Sequence, residues 1–301
     1  MQSLNPNLPI GIFDSGVGGL TVYRALHEQL PDERFVYLGD TARVPYGTKS
    51  LRTVERYAVE NARFLAAHGI KLLVVACNTA SALALPAIGA RVRLPVVGVI
   101  EPGAQAAARV SPGGRIGVIA TEATVQSGAY RRAIKTFTPG AEVIERACPL
   151  FVALAEEGWA ETDVARTVAA EYLKDVRGGR VDTLVLGCTH YPILRRVIQE
   201  TVGAEVQLID SGEATAASVE ELLARENLRR RSFDTHTGQL LKRRAGARRL
   251  CDDLDHFYVT DAAERFARVA ERFLGSAPSR LEAVEVWGQD ELQTTEQPVK
   301  A

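Results

Sequence analysis

Short, nearly continuous runs of Val, Ile and Leu recur along the chain, separated by longer stretches whose apolar residues return every three or four positions. Ile10-Gly11-Ile12-Phe13 is one such run and ends at Asp14; Phe35-Val36-Tyr37-Leu38 is another and ends at Gly39-Asp40. Leu72 to Ala76, Val96 to Ile100, Ile116 to Ala120, Leu184 to Leu186 and Val206 to Ile209 follow. Runs of this length and composition suit the strands of a parallel sheet covered on both faces. Leu20 to Leu30, Val54 to His68, Val164 to Val176 and Thr215 to Glu226 carry helical spacing. Strand and helix in alternation predict an α/β fold, in which ligands lie outside the carboxyl ends of the strands. The residues that follow each strand therefore carry the interest.

The pattern repeats. Ile10 to Ser15 echoes Ile116 to Thr121, and Val74-Val75-Ala76-Cys77-Asn78-Thr79 echoes Val185-Leu186-Gly187-Cys188-Thr189-His190. Two pairs at nearly one offset predict two similar, pseudo-symmetric α/β domains with mostly parallel sheets and a cleft between them. The expected division is residues 1–100 plus 211–301 for a discontinuous first domain and 101–210 for the second. The last residues, from about Gln289, are polar and are expected to fray.

Composition narrows the class. Hydrophobic residues at 46% are enough to bury a core, and the formal net charge of -1 favours neither nucleic acid nor an acidic membrane surface. Arg229-Arg230-Arg231, Arg243-Arg244 and Arg248-Arg249 read as a solvated face balanced by Asp252, Asp253 and Asp255 rather than as a nucleic-acid patch. No apolar run approaches a membrane span, and Met1 to Pro9 lacks the features of a signal peptide. The four cysteines, Cys77, Cys148, Cys188 and Cys251, are far apart and form no Cys-x-x-Cys pair, which argues against a zinc site or a disulfide framework. A reducing cytoplasm is the expected compartment.

Cys77 and Cys188 are the sharpest chemical feature. Each ends an apolar strand, and each is followed by small polar residues and a helical pattern, a position where a helix N-terminus would favour a thiolate or bind a carboxylate. Free cysteines are more often inert small hydrophobes. Two in echoed positions with polar flanks point instead to acid–base chemistry on opposite sides of one cleft. Asp14 could serve only as a helix cap before Gly16 to Gly19, which read as a tight strand-to-helix turn; Tyr46 could be packing, and His190 a structural hydrogen-bonder.

Four segments carry a resemblance to the glutamate racemases of the aspartate/glutamate racemase superfamily, with weaker matches at Thr121 to Tyr130 and at Cys148-Pro149-Leu150-Phe151. They are Gly11 to Leu20, Gly39-Asp40-Thr41-Ala42-Arg43-Val44-Pro45-Tyr46-Gly47, Ala76 to Ala80 and Gly187-Cys188-Thr189-His190-Tyr191-Pro192. The resemblance implies cofactor-independent conversion of L- to D-glutamate for peptidoglycan synthesis, no metal, and a homodimer. It also implies that Cys77 handles the D-enantiomer's proton and Cys188 the L-enantiomer's. By the same resemblance Asp14, Ser15, Tyr46, Gly47, Asn78, Thr79, Thr121, Thr124, Thr189 and His190 contact substrate. Asp14, Asp40, Glu156 and His190 support the cysteines. Residue 153 is Ala where many relatives have Pro, close to Glu156. A related racemase acting on aspartate or a hydantoin, and a regulatory binding protein, are the competing readings.

Overall fold

A computed structural model describes residues 5–111, 113–177, 180–230 and 249–286. Among the described residues ten strands form two all-parallel sheets. They are β1 (Ile10–Asp14), β2 (Phe35–Gly39), β3 (Leu72–Val75), β4 (Val96–Gly98), β5 (Arg115–Ala120), β6 (Glu142–Ala147), β7 (Thr183–Gly187), β8 (Gln207–Asp210), β9 (His256–Val259) and β10 (Leu281–Ala283). The first sheet has the order β10-β9-β2-β1-β3-β4 and the second β6-β5-β7-β8. The segment β2-β1-β3-β4 thus has the same connectivity as β6-β5-β7-β8. The sequence echo is this repeat: β1 corresponds to β5 and β3 to β7. After β8 the chain returns to extend the first sheet with β9 and β10.

Register brings the chemistry to one edge. Asp14 lies opposite Gly39 and Phe13 opposite Val75, so Asp14, Asp40 and Cys77 leave the first sheet at the same end. Ala120 lies opposite both Ala147 and Gly187, so Thr121, Cys148 and Cys188 leave the second sheet together. Every residue of β1, β2, β3 and β7 is buried, as strands packed on both faces require.

Several boundaries differ from the periodicity. The strand expected to reach Ile100 stops at Gly98, and a helix, Ile100–Val110, begins there with Pro102 in its first turn, where a missing N–H costs nothing. The helix expected to run to Val176 ends at Tyr172. The strand β6 carries Glu142, Glu145 and Arg146 and is only partly buried at the sheet edge, so it shows no apolar run. Cys148 and Cys251 are buried and all four cysteines are free. Asp255 is not a surface counter-charge: it is buried and accepts hydrogen bonds from the Tyr23 hydroxyl and the Phe35 N–H, both at 2.8 Å. Of the arginine tract, Arg229 pairs with Glu220 at 2.9 Å, while Arg231, Arg243, Arg244 and Arg248 lie outside the described residues, as does the tail from Gln289. Among the described residues no helix is long and apolar enough to cross a membrane.

Candidate active site

Both echoed cysteines face one cleft of about 470 Å3, part of it open to solvent. Ser15, Tyr46, Gly47, Asn78, Thr79, Thr121, Glu156, Thr189 and His190 line it with them. Of the residues singled out in the sequence, Asp14, Asp40 and Thr124 stand behind the lining. Gly16, Val44, Pro45 and Val152 also line it and were not singled out. A second hollow of about 390 Å3 adjoins it behind Gly16, Val44 and Glu156, against Arg265, Phe266 and Val269.

Cys77 caps the helix Asn78–Gly89, its sulfur accepting from the Ala80 N–H at 3.5 Å. A helix N-terminus favours a thiolate here, but burial pushes the thiol up to about 12 and the Asp14 carboxyl adds to the effect, outweighing the Ser15 hydroxyl at 3.5 Å and the backbone N–H. A group beside a buried carboxyl and removed from water keeps its proton. Asp14 itself is raised by burial, against the pull of His190 and of the Gly19, Gly16 and Ser15 N–H groups. Its Oδ1 and the Asn78 Nδ2 are buried polar atoms with no partner among the described residues. Asn78 Oδ1 is held by the Tyr130 hydroxyl at 2.7 Å, which fixes the amide and presents its N–H2 elsewhere.

The second cysteine has a different setting. Cys188 is followed not by an α-helix but by a 3-10 turn, Tyr191–Leu194, which contains Pro192 and precedes the helix Arg195–Val202. Its sulfur lies 3.8 Å from Nδ1 of His190, whose Nε2 is 3.1 Å from Oε1 of Glu156. Burial opposes a charged imidazole, but hydrogen bonds to Cys188 and Glu156 and their charges prevail and hold His190 at about 10. Burial would raise Glu156, and His190 and Arg265 reverse that and lower it. One thiol therefore sits beside a carboxyl and the other beside an imidazolium. Ala153 continues the helix Leu150–Glu156 that delivers Glu156, so the departure from Pro leaves this arm intact.

Glycine makes the approach possible. A Cβ on Gly18 would stand 2.5 Å from Nδ1 of His190 and closer still to Thr189 Oγ1, and one on Gly19 would stand within 3.0 Å of Asp14 and the Tyr37 hydroxyl. The glycine turn thus lets Asp14 on one side and Thr189 and His190 on the other approach the backbone, beyond closing a turn.

Thr79, Thr121 and Thr124 form a triangle of hydroxyls with oxygens 2.9, 3.2 and 3.0 Å apart, joining the two halves across the cleft floor. Asp40 works at a distance from the cleft. It accepts from Arg43 Nε at 2.9 and 2.8 Å, from Thr260 at 3.0 Å, from Asn61 at 3.2 Å and from the Tyr46 hydroxyl. The buried carboxylate so anchors the loop that carries Val44 to Gly47. Tyr46 consequently spends its phenol on Asp40 and Asn61 rather than on the cleft.

Among the described residues no cluster of His, Cys, Asp and Glu has the arrangement of a metal site. The profile of the Asp/Glu/Hydantoin racemase family matches residues 10–219. The chain is similar to a glutamate racemase from Geobacter metallireducens, 54% identical over 266 residues that span 88% of this chain and 92% of that one. It is 46% identical to one from Chlorobaculum parvum, over 92% of this chain and 96% of the relative. Among solved structures, it resembles glutamate racemase isoform RacE1 from Bacillus anthracis at a TM-score of 0.82 and 35% identity, covering 93% of this chain and 98% of that chain. It also resembles glutamate racemase from Francisella tularensis in complex with D-glutamate, at 0.80 and 36%, with the same coverage. The chain therefore belongs to the Asp/Glu/Hydantoin racemase family and is an amino-acid racemase of the glutamate racemase type.

Proposed function

We propose that the protein interconverts L- and D-glutamate without a cofactor, by two-base proton transfer between Cys188 and Cys77, and that the D-glutamate supplies peptidoglycan synthesis in the cytoplasm. The observation that carries this reading is that two thiols reach one cleft from the two halves of a repeated fold, each backed by its own acid–base partner. Inversion at a carbon needs a base on one face and an acid on the other. Cys77, kept protonated by burial and Asp14, is suited to deliver a proton. Cys188 stands beside a protonated His190 that offsets negative charge on its sulfur while it takes the α-proton of L-glutamate. The reverse direction exchanges the roles.

The remaining groups bind and polarise. The threonine hydroxyls, the free N–H2 of Asn78 and the N–H groups at the start of Asn78–Gly89 are donors for the two carboxylates. Ser15 and Thr189, which line the cleft, offer acceptors for the ammonium. Donors fixed before substrate arrives stabilise the charge that develops as the α-proton leaves. The test is polarimetry of L-glutamate with purified protein in cofactor-free buffer, beside L-aspartate and a hydantoin. Rotation should decay to zero with glutamate and persist with the others. Decay with aspartate or the hydantoin alone would replace glutamate as substrate, and no decay with any would remove the reading.

A further inference from the structure

Glu156 is held from across the cleft. Its Oε1 meets His190, and its Oε2 lies 3.1 Å from a guanidinium nitrogen of Arg265. Its backbone carbonyl accepts from Arg272 at 2.7 Å, and the ring of Phe273 stands edge-on to His190, with centroids 6.0 Å apart. Residues 265, 272 and 273 all lie on the helix Ala263–Leu274. Spacings of seven and eight put them on one helical face. This helix belongs to the C-terminal return of the chain to the first sheet, whereas Glu156, His190 and Cys188 lie among the elements of the second.

We infer that Arg265 is a positioning residue for racemisation, orienting Glu156 so that His190 points its Nδ1 at Cys188, and thereby coupling one half of the molecule to the thiol of the other. The proposal rests on the two-cysteine reading above. An alternative role in holding the fold together is weak, because the Arg265 side chain is 57% exposed and exposed ion pairs add little stability. Geometry is where it acts. Glu156 and Arg265 both line the hollow behind Gly16, in contact with each other at 3.1 Å. Releasing Oε2 frees the Glu156 carboxylate to turn, and the imidazole follows its partner.

The experiment compares the full-length protein with Arg265→Gln and Arg265→Lys. Because the two enantiomers are equal in free energy, kcat/KM must fall by the same factor in both directions, and activity alone does not locate the fault. Arg265→Gln should lower kcat/KM by about 3- to 10-fold, a fraction of the loss that a full 1 Å misplacement brings. The primary deuterium isotope effect on kcat/KM should grow with α-deuterated L-glutamate and not with the D-enantiomer, since only the Cys188 step is slowed. Alkylation by iodoacetamide, located by mass spectrometry, should slow several-fold at Cys188 and not at Cys77. Arg265→Lys should recover most of each effect, and the melting temperature should stay within about 1 °C of the parent. Unchanged isotope effects and alkylation in Arg265→Gln would overturn the proposal, as would equal changes at both cysteines with a lowered melting temperature. Selective slowing at Cys188 in a protein that fails to racemise glutamate would support the positioning role while removing the functional reading beneath it.

Discussion

Gly18→Ala tests whether the glycine turn serves the chemistry or only the chain reversal. The added methyl would stand 2.5 Å from Nδ1 of His190 and nearer still to Thr189, about 1 Å inside ordinary contact. The His190 ring cannot swing away freely, because Glu156 pins its Nε2 at 3.1 Å. Overpacking of this kind costs about 1–3 kcal/mol, a fall of about 2–5 °C in melting temperature at this chain length. The catalytic loss should be larger, because the ring that moves is the one 3.8 Å from the Cys188 sulfur. A displacement near 1 Å costs about 10²-fold. Gly89→Ala is the matched control, since a Cβ there meets no atom within 4 Å. Racemisation would be followed by circular dichroism and stability by thermal melts of the same samples. A Gly18→Ala protein with kcat/KM within twofold of the parent would refute the reasoning.

Cys77→Ala and Cys188→Ala should each lower racemisation by at least about 10²–10⁴-fold with the fold unchanged, measured by chiral chromatography beside far-ultraviolet circular dichroism. His190 is raised from the ordinary 6.5 to about 10, so its contribution to stability is complete below 6.5 and is lost as pH rises through 10; Glu156, lowered from 4.5, loses its contribution as pH falls through that lowered value. Melting temperature should therefore decline from pH 7 to 10 in the parent and much less so in His190→Gln. Lys71 is buried, with its ammonium on Glu33 at 2.5 Å and on the Pro6 and Leu228 carbonyls at 2.7 Å. Lys71→Met should cost about 3–5 kcal/mol in urea melts yet leave kcat intact, because it breaks a buried ion pair at the end of β3 opposite Cys77. Asp40→Asn should raise KM through the loop that carries Tyr46 and Gly47, read from initial rates, since it removes the charge that holds Arg43 at 2.8 Å.

How much of this was legible depended on whether a feature leaves a local mark. Strands buried on both faces, such as Leu72–Val75 and Thr183–Gly187, are continuous apolar runs and were readable without help. The edge strand Glu142–Ala147 alternates charge with apolar residues, and His256–Val259 and Leu281–Ala283 are short, so none of the three stood out. Both thiols were legible because the echo aligned them. Their protonation was not, since at Cys77 burial outweighs the helix N-terminus and is reinforced by Asp14, 63 residues earlier in the chain, and neither leaves a local mark in the sequence. Pro192 in the motif was a usable hint that a 3-10 turn rather than an α-helix follows Cys188. Arg265 and Arg272 carried no signal, as two surface arginines acquire meaning only when their helix lands beside Glu156.

The central claim is that two different groups serve the two faces of the α-carbon. Racemisation of protiated L-glutamate in deuterated water, stopped at a few per cent conversion and separated by enantiomer, tests it most directly. The D-glutamate formed should carry deuterium at the α-carbon, delivered from Cys77, while the remaining L-glutamate keeps its protium because Cys188 alone touches that proton. Deuterium appearing equally in both enantiomers from the outset would mean that a single base serves both faces, and would contradict the two-cysteine account.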